Sequence, residues 1–391
     1  GRSLHTTTGF LETLMCLYAF HGLRNFVRRE NHITDMLRIG ILFYTLVNVT
    51  RSMSPATDYA TLFLALFIVT AWCENFFEKG SDFTVYCLLT VAAVFAATLK
   101  FSCSLLILIG LYPVCRLVRE RKWKEIGIFL SCGCVVLCPF LVRNYLISGW
   151  LLYPFEGIDL FQVPWKIPVE YLVHDADQIK VWGRCLYDVD KVDMPAGQWL
   201  PIWWEHQFRY EKMFLGGVVL GTALQLLMAG MRLYRKQRLR PQLAVLHLSI
   251  WGNIFVWFLM APFIRYGLAF LISVVMIAAG DYLSERKQGL CSIVAGSLVF
   301  CILVSLSPYW DQYVTDAGVF IKHNLMEPYY IEQKDYDRGS MVSCEINGNT
   351  VYFSTGEEIN SYHVFPGTCY KPMLERSTLM GDRIEDGFRA K

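Results

Sequence analysis

The sequence predicts an all-α polytopic membrane protein of about ten transmembrane helices, with a long extracytoplasmic loop and a small α+β extracytoplasmic tail. The first observation is composition: hydrophobic residues make up 54% of the 391 residues and charged residues 18%, against about a quarter in soluble domains. The second is a series of apolar runs of nearly bilayer-spanning length. The third is the regular placement of basic clusters between those runs.

The apolar runs define the predicted spans, because about 20 mostly apolar residues cross a bilayer as a helix. The ten runs are 10–23, 36–50, 59–74, 83–99, 101–117, 126–142, 213–231, 242–264, 266–280 and 289–307. They divide the chain into four predicted segments. These are an N-terminal transmembrane part (1–142), a tryptophan-rich loop (143–212), a C-terminal transmembrane part (213–307) and a tail (308–391).

Basic clusters orient the predicted spans, since cytoplasmic loops carry an excess of Lys and Arg. Threading ten spans places every cluster on one side: Arg24, Arg28 and Arg29; Arg116, Arg119, Arg121, Lys122 and Lys124; Arg232, Arg235, Lys236, Arg238 and Arg240; Arg286 and Lys287. The loop 143–212 and the tail fall on the opposite side. We therefore expect a multi-pass protein of the cytoplasmic membrane whose C-terminus is extracytoplasmic.

The two extracytoplasmic segments carry their own local signals. WLPIWWEHQF (199–208) is typical of a helix that lies along the membrane interface, because indole rings favour the headgroup level. VSCEINGNTVYF (342–353) alternates around Asn-Gly, which predicts a hairpin with a two-residue turn. The tail also contains Cys344 and Cys369, which can form a disulfide if this segment is extracytoplasmic.

The charge balance excludes one class of partner. The net charge is only +2, and no basic stripe with interleaved aromatic residues is present, so the sequence does not indicate a nucleic-acid-binding protein. The partners that it does indicate are the lipid bilayer and molecules held at its surface.

Four ionisable residues stand at predicted outer ends of spans, where charge still requires a reason. They are Asp58, Lys100, Arg143 and Arg265. One interpretation is a cavity at the membrane surface in which the three cations bind a lipid-linked phosphate or diphosphate, because arginine forks match phosphate oxygens. The other is structural: Lys100 and Arg265 extend to the interface, and Asp58 pairs with one of them.

A weaker cluster occurs in the outer loop. His174, Asp175 and Asp177 lie within the HDAD sequence at 174–177. Oxygen ligands of this kind can hold a divalent cation, so a metal site is one hypothesis. The alternative is a set of solvated loop side chains.

Several short stretches resemble a family of bacterial membrane proteins related to the GT-C-type glycosyltransferases, which use polyprenyl-phosphate sugars. They are TLKFS (98–102), RNYLISGWLLYPF (143–155), PWKIP (164–168), APFIRYG (261–267) and GDRIEDGFR (381–389). The resemblance covers about residues 98 to 389 in order. It implies a GT-C-like fold, a polyprenyl-phosphate sugar as donor substrate, a glycan acceptor, and a bacterial cytoplasmic membrane.

The resemblance also implies roles for individual residues. In GT-C enzymes an acidic residue of the first outer loop deprotonates the acceptor hydroxyl or holds a divalent cation. No segment here matches that loop, so we expect it upstream of Gly1, with Asp58 as the catalytic or supporting carboxylate within this chain. Lys100, Arg143 and Arg265 match family motif positions. In the family pattern two cysteines flank the last motif, whereas SYHVFPGTCY (361–370) contains only Cys369.

Two other functions share some of these features. A transporter or flippase of lipid-linked saccharides would carry charges in the middle of spans and often two similar halves, and neither feature is evident. A polysaccharide polymerase shares the outer loops and arginines but uses diphosphate-linked substrates. The sequence therefore favours a membrane glycosyltransferase of cell-envelope polysaccharide assembly.

Overall fold

A computed structural model describes most of the transmembrane part and portions of the tail. The described residues are 7–24, 26, 31–48, 56–236, 240–284, 296, 318, 341–354, 366–368 and 374–391.

The described chain is mostly helical. Its helices are α1 (Thr7–Leu23), α2 (Ile33–Asn48), α3 (Thr57–Phe77), α4 (Phe83–Leu99), α5 (Leu111–Arg119), α6 (Trp123–Ser148), α7 (Val169–Gly183), α8 (Ala196–Glu205), α9 (Arg209–Tyr234), α10 (Pro241–Met260) and α11 (Ile264–Ser284). A 3₁₀ helix, Phe101–Gly110, leads directly into α5, and short 3₁₀ turns occur at Val189–Lys191 and Ile384–Asp386.

Six helical segments are long and apolar enough to cross a membrane. They are Thr57–Phe77, Phe101–Arg119, Trp123–Ser148, Glu211–Tyr234, Pro241–Met260 and Ile264–Ser284. The first nine predicted runs all coincide with helices, whereas the run 289–307 lies outside the described residues apart from residue 296. A total of ten spans and their orientation remain predictions.

The core lies among α2, α3 and α11. In the 18-residue apolar stretch of each helix, 72% of α11 and 61% of α3 are buried inside the protein, against 0% of α6. Helix α11 is apolar on every face, as expected for a helix that neighbours surround. Sequence hydropathy did not distinguish α11 from α6, because a lipid-facing and a protein-facing helix are equally apolar.

The α4–α5 connection departs from regular α-helix at Lys100, whose backbone is extended (φ −153°, ψ 126°). In the 3₁₀ segment that follows, both backbone groups of Leu105 form hydrogen bonds with side chains of α10. The Leu105 amide donates to Asn253 Oδ1 at 3.1 Å, and the Ser249 hydroxyl donates to the Leu105 carbonyl at 3.0 Å. Such side-chain partners stabilise a ten-residue 3₁₀ run, which is otherwise uncommon at this length.

The chain divides into two compact units that differ from the predicted segments. One contains Gly1–Leu137 and Ile179–Lys322, and the other Cys138–Gln178 and His323–Lys391. The predicted loop 143–212 is therefore divided near residue 178. Its first part groups with the tail, where the Arg376 guanidinium lies 4.7 Å from the centre of the Tyr171 ring. Helix α6 also continues to Ser148, beyond the predicted boundary at residue 142.

The tail contains the predicted hairpin. Strands β1 (Met341–Ile346) and β2 (Asn349–Ser354) pair antiparallel, and the turn residues Asn347 and Gly348 both have positive φ (49° and 76°), which confirms the two-residue turn. A short strand β3 (Gly367–Thr368) adds parallel to β2, and β4 (Ser377–Leu379) pairs with β5 (Phe388–Ala390).

Residues 199–205 of the tryptophan-rich sequence lie in helix α8, which confirms a helix there, whereas residues 206–208 connect α8 to α9. Trp199 and Trp203 are 4% and 5% exposed and face the protein, whereas Trp204 is 45% exposed. The Trp203 indole donates to the Pro262 carbonyl at 2.6 Å. This helix thus holds the α10–α11 connection, and only its Trp204 side remains available to a membrane interface.

Gly280 in α11 lies against the backbone at the start of α2. A methyl group at Gly280 would collide with the Ile33 backbone and lie 2.7 Å from the His32 carbonyl oxygen. Gly280→Ala should therefore lower the free energy of unfolding by about 2 kcal/mol, since overpacking outweighs the gain in helix propensity. Thermal unfolding in detergent measures this effect.

Gly230→Ala in α9 is the matched control, because no atom lies within 4 Å of the added methyl group. It should be neutral or stabilising by up to about 1 kcal/mol. Equal effects of the two substitutions would contradict the close approach of α11 to α2.

Candidate functional site

Three of the four charged residues singled out in the sequence come together. Asp58 Oδ1 accepts a hydrogen bond from the Lys100 ammonium group, and Asp58 Oδ2 lies 3.0 Å from Arg265 Nε. We call Asp58, Lys100 and Arg265 the Asp58 cluster. One carboxylate shared by two cations gives the cluster a formal charge of +1.

Local structure explains why each residue stands where it does. Asp58 lies in the first turn of α3, where the helix dipole favours a carboxylate. Lys100 stands between the end of α4 and the start of the 3₁₀ helix, so the two helix ends act on its charge in opposite directions. Arg265 lies in the first turn of α11, where the dipole disfavours a cation. The Asp58 carboxylate compensates for that unfavourable position.

Aromatic side chains complete the cluster. The Lys100 Nζ atom lies 3.3 Å from the centre of the Tyr266 ring, and the Arg265 guanidinium carbon lies 5.2 Å from it. Arg265 also donates to the Tyr266 hydroxyl at 3.3 Å. Cation–π contacts of this kind stabilise cations that are partly removed from water.

The cluster is partly open to solvent. The exposed fractions are 13% for the Asp58 side chain, 16% for Lys100 and 42% for Arg265. Burial lowers the pKa of Lys100, and the adjacent Asp58 carboxylate opposes that shift. Both oxygens of Asp58 are engaged by cations, so its carboxylate connects Lys100 to Arg265.

The fourth residue, Arg143, lies on α6 with an exposed side chain. Among the residues that the structure describes, it has no ion-pair partner. It belongs to the second compact unit, whereas the Asp58 cluster belongs to the first. Its role in phosphate binding remains a prediction.

The predicted metal candidates lie on α7. Asp175 accepts a hydrogen bond from the Tyr153 hydroxyl, and burial together with this carboxylate raises the pKa of Tyr153. Within the described ranges, no group of three His, Cys, Asp or Glu side chains has the geometry to hold a metal ion. Asp175 thus has a hydrogen-bond partner, and a metal site at His174, Asp175 and Asp177 stays a prediction.

Of the two predicted disulfide partners, the structure describes one. Cys344 on β1 is a free cysteine opposite Val351 of β2. Cys369 lies outside the described residues, so their pairing remains a prediction.

Sequence reasoning did not single out Glu12. Its side chain is 6% exposed on α1, and its Oε1 atom has no hydrogen-bond partner in the described part of the chain. Its position inside the apolar run 10–23 could have marked Glu12 in the sequence, because a carboxyl group within a span is costly and calls for a reason.

A second buried ionic group also escaped the sequence interpretation. Arg38 on α2 is 1% exposed and lies 3.0 Å from Asp35, 3.1 Å from Glu78 and 3.5 Å from Glu74. We call these four residues the Arg38 cluster. The spacing of Asp35 and Arg38 could have indicated an ion pair, because residues three apart on a helix are neighbours.

The two clusters lie at opposite ends of the most buried helices. On α3, Asp58 and Glu74 are separated by about 24 Å at ~1.5 Å per residue. Arg265 and Asp281 have the same separation along α11, and Asp281 pairs with Arg232 of α9 at 2.5 Å. This length is close to the ~30 Å hydrocarbon thickness of a bilayer, so the charges bracket an apolar layer.

Comparison with known proteins yields one match. A family model described as a domain of unknown function (DUF8201) matches residues 1–272. No curated protein and no solved structure matches the chain.

Proposed function

This chain belongs to the DUF8201 family, and we propose that it is an integral membrane protein that transfers a sugar from a polyprenyl-phosphate donor. The acceptor would be a cell-envelope glycan or lipid on the outer face of the bacterial cytoplasmic membrane. The observation that carries the proposal is the Asp58 cluster, in which one carboxylate serves two cations.

The charge of the cluster supports an anionic ligand. Two cations and one carboxylate leave a positive charge in a partly buried place, where an unbalanced charge is costly. A phosphate group would balance it and accept hydrogen bonds from both cations. Arg265 is the most exposed member, so it is the residue that an incoming headgroup meets first.

The position of the cluster favours a glycosyltransferase over a flippase. Asp58, Lys100 and Arg265 all lie at helix ends and not in the middle of a helix, whereas a flippase would carry its charges in the middle of spans. In this proposal Lys100 and Arg265 hold the donor phosphate and stabilise the charge that develops on it as the sugar leaves. Asp58 is a positioning residue that holds both cations.

Binding of polyprenyl-phosphate sugar to the purified protein in lipid nanodiscs tests the proposal. Arg265→Gln should weaken donor binding about tenfold or more, because a charge-assisted hydrogen bond contributes about 1.5–3 kcal/mol. Arg143→Ala tests the third predicted cation in the same titration. Release of polyprenyl phosphate on addition of an acceptor glycan measures transfer.

Arg232→Gln is a matched control, since Arg232 is 43% exposed and pairs with a carboxylate that is 13% exposed, nearly as Arg265 does. It should leave donor binding unchanged. Equal losses in both variants, or no loss in Arg265→Gln, would overturn the assignment of the site. Donor movement across vesicles without transfer would identify a flippase.

A further inference from the structure

A groove of about 620 Å³ lies between α4 and α6. Val91 lines it from α4, and residues of α6 between Lys124 and Val136 line it from the other side. Its volume falls within the ~300–1,000 Å³ of sites that hold small molecules. None of the residues that line the groove belongs to the Asp58 cluster.

The groove runs beside a contact between α4 and α6. A methyl group added at Gly133 of α6 would touch Val94 Cγ2 of α4 at 4.0 Å, whereas one added at Gly127 would meet no atom within 4 Å. The two helices therefore touch beside Gly133, whereas the groove is open beside Gly127. We call the groove from Lys124 to Val136 the wedge.

The length of the groove matches one leaflet of a bilayer. From Lys124 to Val136 the α6 axis rises about 18 Å, which is close to half of the ~30 Å hydrocarbon thickness. None of the 18-residue apolar stretch of α6 is buried inside the protein. An acyl chain that enters from one surface would cover this part of α6 and end where α4 and α6 meet.

The mouth of the groove carries positive charge. Lys124 and Arg121 are exposed and have no ion-pair partner among the residues described, whereas the neighbouring Lys122 lies 2.7 Å from Glu120. Trp123 is 65% exposed beside them, as is typical of an indole at the headgroup level. The mouth thus combines free cations with an interfacial aromatic ring.

We propose that this groove binds one anionic phospholipid of the surrounding bilayer. The lipid phosphate lies at Lys124, and one acyl chain fills the wedge between α4 and α6. The free cations favour a lipid with net negative charge over a zwitterionic one. A helix of a second copy would leave the free cations at the mouth without an anion, whereas a lipid phosphate would pair with them.

Native mass spectrometry of the purified protein with phosphatidylglycerol or phosphatidylcholine tests the headgroup. Lys124→Gln should weaken phosphatidylglycerol binding about fivefold, as expected for loss of one lysine at the membrane surface. Lys122→Gln is the matched control and should change binding little, because Glu120 already pairs with Lys122. Equal binding of the two lipids to the unaltered protein would overturn the proposal.

A second pair of variants tests the acyl-chain part of the site. Gly127→Leu should fill the wedge and remove the bound phosphatidylglycerol, whereas Gly230→Leu on α9, where a side chain also meets open space, should not. The same spectra report oligomeric state. A dimer that Gly127→Leu abolishes would assign the groove to a second copy of the chain, and lipid binding unaffected by Gly127→Leu would also refute the site.

Discussion

Arg38→Met is expected to lower the free energy of unfolding by about 3–5 kcal/mol, the usual effect of removing one partner from a buried ion pair. Arg38 is 1% exposed and Asp35 is 0% exposed, so the loss leaves carboxylates that water cannot fully solvate. The Arg38 side chain also covers Gly22 of α1. Thermal and denaturant unfolding in detergent measure the change.

Lys79→Gln is the control for this prediction. Lys79 pairs with Glu74 at 3.0 Å, but its side chain is 61% exposed, so its removal should cost less than about 1 kcal/mol. If Arg38→Met destabilised the protein no more than Lys79→Gln does, the Arg38 cluster would not hold α2 to α3.

Asp58→Asn is expected to lower the free energy of unfolding by about 2 kcal/mol. The substitution leaves Lys100 and Arg265 without their shared carboxylate, so two like charges face each other. The expected loss is smaller than for a fully buried pair because solvent screens Arg265. Adding Lys100→Met to Asp58→Asn removes the repulsion and should recover part of the stability.

Asp281→Asn provides the comparison, since Asp281 is as buried as Asp58 but pairs with a single arginine among the described residues. Its loss should cost less than that of Asp58. The comparison also separates two roles for Asp58. A catalytic carboxylate would lose sugar transfer in Asp58→Asn with unchanged stability, whereas a positioning residue loses stability first.

The sequence predicted the location of the helices well, because hydrophobic run length depends only on the chain and the bilayer thickness. It also predicted the Asn347–Gly348 hairpin, since both residues tolerate positive φ. The break at Lys100 followed from the same patterns, whereas the α10–α11 connection lies at residues 261–263, earlier than the break at residue 265 between the predicted runs.

The sequence did not predict which charges meet. In the structural interpretation of these charges Asp58 pairs with one of Lys100 and Arg265, and in the structure it pairs with both. Lys100 is 42 residues from Asp58 in the chain, and no local pattern encodes such a distance. The partners of Arg38 on α3 were missed for the same reason, because they are set by the packing of α2 against α3.

The sequence alone determined that this chain is rich in membrane-spanning helices, where most of them begin and end, and which ionisable residues stand near their ends. Hydropathy and turn chemistry act over a few residues and are written directly in the chain. Only the tertiary structure decided that α3 and α11 are buried while α6 is not, and that Asp58 joins two cations. It also showed that a buried oxygen of Glu12 has no hydrogen-bond partner among the described residues. These features depend on side-chain packing between helices distant in sequence, which hydropathy cannot distinguish from contact with lipid.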